Sequence, residues 1–296
     1  MNARALLLPR NRALQATRSR ALRRLFGTRQ VLLGGTVVLL LALLAIFAPL
    51  LAPFPPDQIG VARRLAAPGP GHWLGTDEFG RDILSRILYG AWLTLYVGLV
   101  AVGIGLTCGI SVGAIAAYAG RWLGGLLMRA IDLLYTFPDV LIALGLVAFL
   151  GPNLTNAMIA VGISVVPYYA RVTYAIVLAE RQKTYVDAAQ VVGAGHARII
   201  VRHLLPNVVP PMIVVASLGF SAAVLSAAAL SFLGLGAQPP AAEWGLMLAT
   251  GRNYIDRAPW VVIAPGMAIF ITVMAFNILG DGIRDLLDPR QAERTF

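Results

Sequence analysis

The sequence is short of lysine, cysteine and histidine, and each shortage excludes a class of site. The single lysine, Lys183, follows no glycine-rich run, which excludes a Walker A phosphate loop. The single cysteine, Cys108, excludes an internal disulfide and a thiolate metal cluster. The three histidines have no metal-site spacing with a carboxylate, and Gly-x-Ser-x-Gly and His-Glu-x-x-His are both missing. We therefore expect a chain that is not an enzyme and binds no metal or cofactor.

Charged residues are also scarce, and the chain is therefore too apolar for a water-soluble protein. Charged residues are 13% of the chain and hydrophobic residues 58%, whereas soluble domains are about a quarter charged. Because a membrane-spanning helix needs about 20 apolar residues, the long uncharged stretches predict an all-α membrane protein. These stretches are 30–56, 87–120, 140–170, 203–242 and 258–280.

The five stretches predict six spans. The third is broken by Gly151, Pro152 and Asn153, so its two helices must extend past Asp139 and Arg171, to about 132–150 and 154–174. The fourth has room for one span at about 208–233, although a bent pair there would give seven. The other three stretches hold one span each.

Arginine placement predicts the orientation. Residues 1–30 carry eight arginines and no acid, and with that end in the cytosol 18 of the 24 Lys and Arg residues lie inside. Both termini are then cytosolic. We interpret the basic charge as a topology signal, and the basic tail would also be attracted to anionic lipid. We therefore do not expect nucleic acid as a partner.

The chain divides into five parts on this topology. These are a basic cytosolic tail (1–30), a first transmembrane helix (31–53), an external segment with an amphipathic helix (54–90), a five-helix core (91–284) and a cytosolic C-terminal tail (285–296).

The longest hydrophilic cytosolic segment is residues 179–207, called loop 179–207 below. Apolar residues recur at helical spacing on both sides of Gly193 and Gly195. The pattern predicts two short amphipathic helices that meet at a glycine corner and face a cytosolic partner. An interfacial helix pair without a partner is the alternative.

Loop 179–207 contains a spaced motif, and three further segments follow the same family pattern. The motif residues are Asp187, Ala188, Ala189, Gly193, His203, Leu205 and Pro206. They resemble the coupling-loop motif of ABC importer permeases, which has Glu and Ile where this chain has Asp187 and His203. Residues 73–82, 230–245 and 277–289 resemble the dipeptide/oligopeptide branch, and 73–91 its C-type subunit.

The resemblance implies a type I ABC importer permease fold and a set of partners. It implies a second permease of similar fold, two ATPase subunits that hold ATP and Mg²⁺, and an extracytoplasmic substrate-binding protein. The chain would be a non-catalytic subunit that moves di- or oligopeptides across the bacterial inner membrane. Nickel and glutathione importers look alike at this level, so the cargo stays open.

Residues 79–91 have one apolar and one polar helical face. Phe79 is on the apolar face, and Arg81, Asp82 and Arg86 are on the polar face. We expect a helix on the outer membrane surface that docks the binding protein or the partner permease. The alternative is a topology anchor. The acids Asp77, Glu78 and Asp82 are expected to be solvated caps.

Asp139 is the candidate residue for the translocation path. At about 1.5 Å per residue it lies about 18 Å below the outer turn at Gly151, inside the apolar core, and about 9 Å from the depth of Arg171. A salt bridge between them is therefore not expected unless Pro138 or Pro167 kinks its helix. An acid inside the membrane faces a water-filled path or is satisfied within its own bundle.

A proton-coupled secondary transporter is the alternative class, with Asp139 as its proton carrier. That class usually has internal repeats, and we find no convincing repeat.

Overall fold

The computed structural model describes residues 28–287, so nearly all of the predicted N-terminal tail and most of the C-terminal tail lie outside it. The described part is mostly helical and has no β-strand. Its helices are α1 (Arg29–Ile46), α2 (Ala48–Leu51), α3 (Ile83–Tyr118), α4 (Gly120–Tyr135), α5 (Asp139–Leu150), α6 (Leu154–Ser164), α7 (Val166–Arg181), α8 (Thr184–Val191), α9 (His196–Ile199), α10 (Leu205–Phe232), α11 (Trp244–Gly251) and α12 (Trp260–Leu287).

Five helices in the described residues are long and apolar enough to cross a membrane, and α4 with α5 makes six if that bent pair counts as one span. The all-α fold is confirmed, and the six predicted spans are confirmed when the bent pair counts as one span. The span predicted at 132–150 is not one straight helix, because α4 and α5 meet at 89° around Pro138. Proline has no N–H and disfavours a helical residue before it, which explains the break.

The span predicted at 154–174 is a helix with an internal irregularity. α6 ends at Ser164 and α7 starts at Val166, with Pro167 in its first turn. The two count together as one span of 28 residues, Leu154–Arg181. Both prolines considered as sources of a kink, Pro138 and Pro167, therefore lie at helix interruptions.

The span predicted at 208–233 starts earlier, and this corrects the interpretation of loop 179–207. A wide π-helical turn, Ile200–Leu204, joins α9 to α10, and the whole stretch His196–Phe232 is one span. Pro206 is tolerated because it lies in the first turn of α10. The second short amphipathic helix is thus the start of a transmembrane helix.

Helix α3 is the centre of the bundle and packs against α1, α4, α6, α7 and α10. A Cβ atom added to Gly109 would lie 2.4 Å from Tyr169 Cβ, and one added to Gly113 would lie 2.4 Å from the Ala170 carbonyl oxygen. These glycines allow α3 and α7 to approach closely. Gly109 and Gly113, four residues apart on α3, therefore serve packing within the subunit.

Candidate functional site

Loop 179–207 turns at a glycine whose conformation other residues avoid. Gly193 has φ +84°, and a Cβ atom there would meet nothing within 4 Å. The Gly193 N–H donates to the Gln190 carbonyl at 2.9 Å and the Ala194 N–H to the Ala189 carbonyl at 3.0 Å. This is the Schellman end of α8. The predicted glycine corner is confirmed, and its requirement is conformational rather than steric.

The outer face of this corner consists largely of small residues and valines, with one acid, Asp187. Asp187, Ala188, Gly193 and Pro206 are exposed, while Ala189, His203 and Leu205 are half-buried. Val191 and Val192 are each 87% exposed. The structure thus gathers part of the motif beside an exposed valine pair.

The inner face of loop 179–207 is fixed by packing. Val186, Ile199 and Leu204 are fully buried in a cluster with Val208 and Met212 of α10. At the other end, the His196 Nδ1 atom lies 3.0 Å from the Tyr118 hydroxyl at the end of α3. The loop is therefore attached to the transmembrane helices and would move with them as one body.

Tyr185 is a residue that the sequence analysis missed. Its hydroxyl donates to Glu180 at 2.7 Å and accepts from the Asn207 side chain at 3.2 Å. Asn207 also donates to the His203 carbonyl at 2.7 Å. Burial and the bond to Glu180 raise the pKa of Tyr185 to about 12, so it stays a neutral donor. In the sequence, the feature that could have pointed to it is a tyrosine two residues before the motif.

At the opposite end of α3, the predicted surface helix at residues 79–91 is wrong. Residues 79–82 form a turn, and α3 starts at Ile83 as the transmembrane helix itself. Arg81, Asp82 and Arg86 are buried, with 6%, 2% and 3% exposure, and Phe79 is 43% exposed. The polar side therefore faces protein, because other segments of the chain supply its partners.

Asp77 is the centre of this buried cluster. Its Oδ2 atom accepts from Arg81 Nε at 2.6 Å and lies 3.7 Å from Arg86 Nε. Its Oδ1 atom accepts two backbone N–H groups, from Phe79 and Arg81, each at 2.9 Å. Glu78 lies 3.5 Å from Arg81, and burial raises the pKa of Glu78. These acids are buried ion-pair partners and not solvated caps.

Arg86 ties three distant segments together. Its guanidinium donates to the carbonyls of Pro56 at 2.9 Å, Pro240 at 3.4 Å and Ala241 at 3.0 Å. A planar guanidinium has five donors in a fixed fork, which suits this number of acceptors. Arg86 thus fastens both segment 54–82 and the loop before α11 to the first turn of α3.

Asp82 is the N-cap of α3. Its Oδ2 atom accepts the Ser85 N–H at 2.8 Å and the Ser85 hydroxyl at 2.7 Å. Its Oδ1 atom lies 3.0 Å from His72 Nδ1, and the His72 ring stacks on Phe54 with centroids 5.2 Å apart. A capping acid satisfies the free N–H groups of a helix start. Asp82 is therefore engaged in internal capping, while docking of a partner at this segment stays a prediction.

Part of the segment 230–245 packs at the same end of α3. Glu243 caps α11, with its carboxylate oxygens accepting from Gly245 N at 3.0 Å and Leu246 N at 2.7 Å. Trp244 donates its indole N–H to the Ile87 carbonyl at 3.1 Å. Burial raises the pKa of Glu243, partly offset by these hydrogen bonds. We call residues 54–82 with Arg86 and 239–246 the outer cap.

Asp139 lies at the first residue of α5, on a cavity of about 520 Å³. It is exposed in the isolated chain, and its Oδ1 atom accepts the Val140 N–H at 2.8 Å. Arg171 pairs instead with Asp132, with 3.4 Å between Nε and Oδ1, and covers the Tyr135 ring at 4.7 Å. Arg171 thus has another acid as its partner, and the prediction that Asp139 and Arg171 form no salt bridge is confirmed. That Asp139 faces the translocation path stays a prediction.

Comparison with protein families and with curated proteins finds clear relatives. Residues 109–293 match the model of the binding-protein-dependent transport system inner membrane component. Residues 18–68 match the N-terminal TM domain of oligopeptide transport permease C. The chain is 46% identical to a dipeptide transport system permease protein DppC of Alkalihalophilus pseudofirmus, over 91% of this chain and 89% of the relative. It is 42% identical to a glutathione transport system permease protein GsiD of Pectobacterium atrosepticum, over 87% and 86%.

The fold is also found among solved structures. A chain of the MetNI methionine ABC transporter in an inward-facing conformation superposes with a TM-score of 0.58 at 19% identity, over 70% of this chain and 98% of that one. At this identity the likeness concerns the fold alone, and it is a type I ABC importer permease fold. The chain belongs to the family of binding-protein-dependent transport system inner membrane components.

Proposed function

We propose that this chain is the membrane-spanning permease subunit of an ATP-driven importer that carries di- or oligopeptides inward. The observation that carries the proposal is the similarity to peptide-transport permeases along about nine-tenths of the chain. Glutathione, itself a tripeptide, is the second candidate cargo because a glutathione-transport permease is nearly as similar. Nickel is the third.

The subunit acts mechanically and not as a catalyst in this proposal. Two ATPase subunits bind ATP and Mg²⁺ in the cytosol and press on loop 179–207, where the exposed valines and the Gly193 corner form the contact. Because the inner face of the loop is packed on α7 and α10, its displacement passes to the transmembrane helices. Rocking of these helices opens the path alternately to either side.

The other partners follow from the same assignment. A second permease of similar fold completes the path, and an extracytoplasmic binding protein delivers the cargo to the outer cap. Both termini lie in the cytosol, with the arginine-rich tail near anionic lipid.

The test is purification and reconstitution of the complex. The chain is co-expressed with a second permease and the ATPase subunits, purified in detergent and reconstituted with the binding protein. We expect the ATPases to co-purify and labelled dipeptide uptake to require both ATP and the binding protein. Glutathione and Ni²⁺ are run in parallel as alternative cargoes. Uptake that needs a proton gradient and no ATP would instead assign a secondary transporter.

A further inference from the structure

Two interrupted helices meet at the cavity beside Asp139. The break between α4 and α5 contributes Thr136, Phe137 and Pro138, and the break between α6 and α7 contributes Val165 and Pro167. Irregular backbone at membrane depth is tolerated only where it is enclosed in protein or lines a water-filled cavity. Discontinuous helices of this kind also build the substrate sites of other transporters. The position of this cavity is therefore that of a cargo site.

The cavity wall carries one acid that has no ion-pair partner among the described residues. Among the described residues, Asp139 is the only charged one in the wall. Within residues 28–287 no ion pair includes Asp139, and Arg171 of α7 pairs with Asp132 instead. A carboxylate in an apolar wall strongly favours a cation beside it.

The rest of the wall suits an organic cation. Phe137 and Tyr168 are 57% and 43% exposed and line the same cavity, and aromatic faces attract ammonium groups. The volume of about 520 Å³ lies within the range of about 300–1,000 Å³ that is typical of small-molecule sites. A peptide carries one such ammonium group at its N-terminus.

We infer that this cavity is a cargo site in the membrane and that Asp139 binds the α-ammonium group of the transported peptide. The inference rests on the proposed function and adds the chemistry by which this subunit recognises its cargo. Asp139 forms an ion pair with the ammonium, while Phe137 and Tyr168 cover it from the side. The peptide thus crosses with its N-terminal charge compensated.

A labelling experiment tests the site directly. Ala222 lines the cavity from α10 and is exposed, so Ala222→Cys in a Cys108→Ser background reports its occupancy. In the reconstituted complex, a free dipeptide should slow modification by a water-soluble thiol reagent several-fold, and the N-acetylated dipeptide should not. Asp139→Asn should remove this protection. Equal protection by both peptides, or no labelling in any nucleotide state, would overturn the inference.

Transport provides the second readout, with a matched control. We expect Asp139→Asn to lower peptide uptake per ATP about tenfold, the value of a charged hydrogen bond, while ATPase stimulation by the loaded binding protein persists. Asp139→Glu should recover part of the uptake. Asp256→Asn, an exposed acid that does not line the cavity, should keep both uptake and protection.

The two proposals fail separately. If the wild-type complex imports no peptide, the proposed function falls. If the wild type imports peptide and Asp139→Asn does so equally well, only the cavity inference falls.

Discussion

The outer cap and loop 179–207 lie at opposite ends of α3, about 54 Å apart for a helix of 36 residues, and they are held in shape by different means. The outer cap is held by side chains, with Asp77, Arg81 and Arg86 buried in one ion-pair cluster. Loop 179–207 turns on backbone conformation at Gly193, and its motif acid, Asp187, is exposed. The cap is thus a fixed part of the fold, whereas the loop presents a shaped surface.

The difference follows from what each end must bury. Buried charges are stable only when they are paired and hydrogen-bonded, and the cap satisfies this with Asp77 at its centre. An exposed loop has no such requirement, so its geometry can depend on one glycine. Changes at the cap should therefore act on folding, and changes at the loop on coupling.

The largest expected effect is at the cap. Asp77→Ala removes the acceptor of Arg81 and two backbone N–H groups and leaves Arg81 and Arg86 short of negative charge. Breaking a buried pair in this way costs about 3–5 kcal/mol. We expect a large fall in the melting temperature of the purified protein and in its yield. Asp57→Ala, an exposed acid of the same segment, is the control and should change little; equal melting temperatures would refute a structural role for the cluster.

A smaller but more specific effect is expected at the loop. Gly193→Val forces a β-branched residue to φ +84°, at about 1–2 kcal/mol of strain. The melting temperature should shift slightly, whereas peptide uptake and ATPase assembly should fall severalfold, because the corner no longer fits the ATPase. Normal uptake would remove the corner from the coupling mechanism.

Gly195→Val is the matched control for that experiment. Gly195 lies two residues away, is also exposed and has free space around it, but its φ of −66° and ψ of 155° suit any residue. Uptake by this variant should stay close to wild type. If both variants fail equally, bulk at the corner matters and not its backbone conformation.

The two ends also differ in how far the sequence predicted them. Gly193 was predicted correctly because a turn residue carries its own local signal. Arg86 was misplaced because its amphipathic pattern shows a polar side but not what covers it. Its acceptors at Pro240 and Ala241 are 154 and 155 residues away. Local periodicity has no information on such contacts.

The same limit applies within the membrane. Charge spacing located the spans, and Pro138 marked a possible kink. The 89° angle between α4 and α5 and the cavity depend on how four helices pack together, which no single segment of the sequence encodes. The sequence could therefore nominate Asp139 for a water-filled path, while the shape and lining of the cavity on which it lies were not predictable.

The smallest expected effect is a pH dependence that belongs to the cap. Burial raises the pKa of Glu243 above 4.5 in the folded protein, so the folded state keeps this proton to higher pH than the unfolded state. The contribution of Glu243 to stability is therefore complete below pH 4.5 and is lost as the pH rises through the folded pKa. Tyr185 of loop 179–207, with a pKa of about 12, does not titrate in this range.

Glu243→Gln isolates that contribution, because glutamine resembles the protonated acid and keeps one acceptor for the N–H groups of Gly245 and Leu246. We expect the melting temperature of the variant to gain on wild type as the pH is raised from 4.5 to neutrality. The exposed Asp256, changed to Asn, should show no such gain. A difference that stays constant or reverses with pH would mean that the two capping hydrogen bonds outweigh burial at Glu243, and the cap would then be held by charge at Glu243 as well.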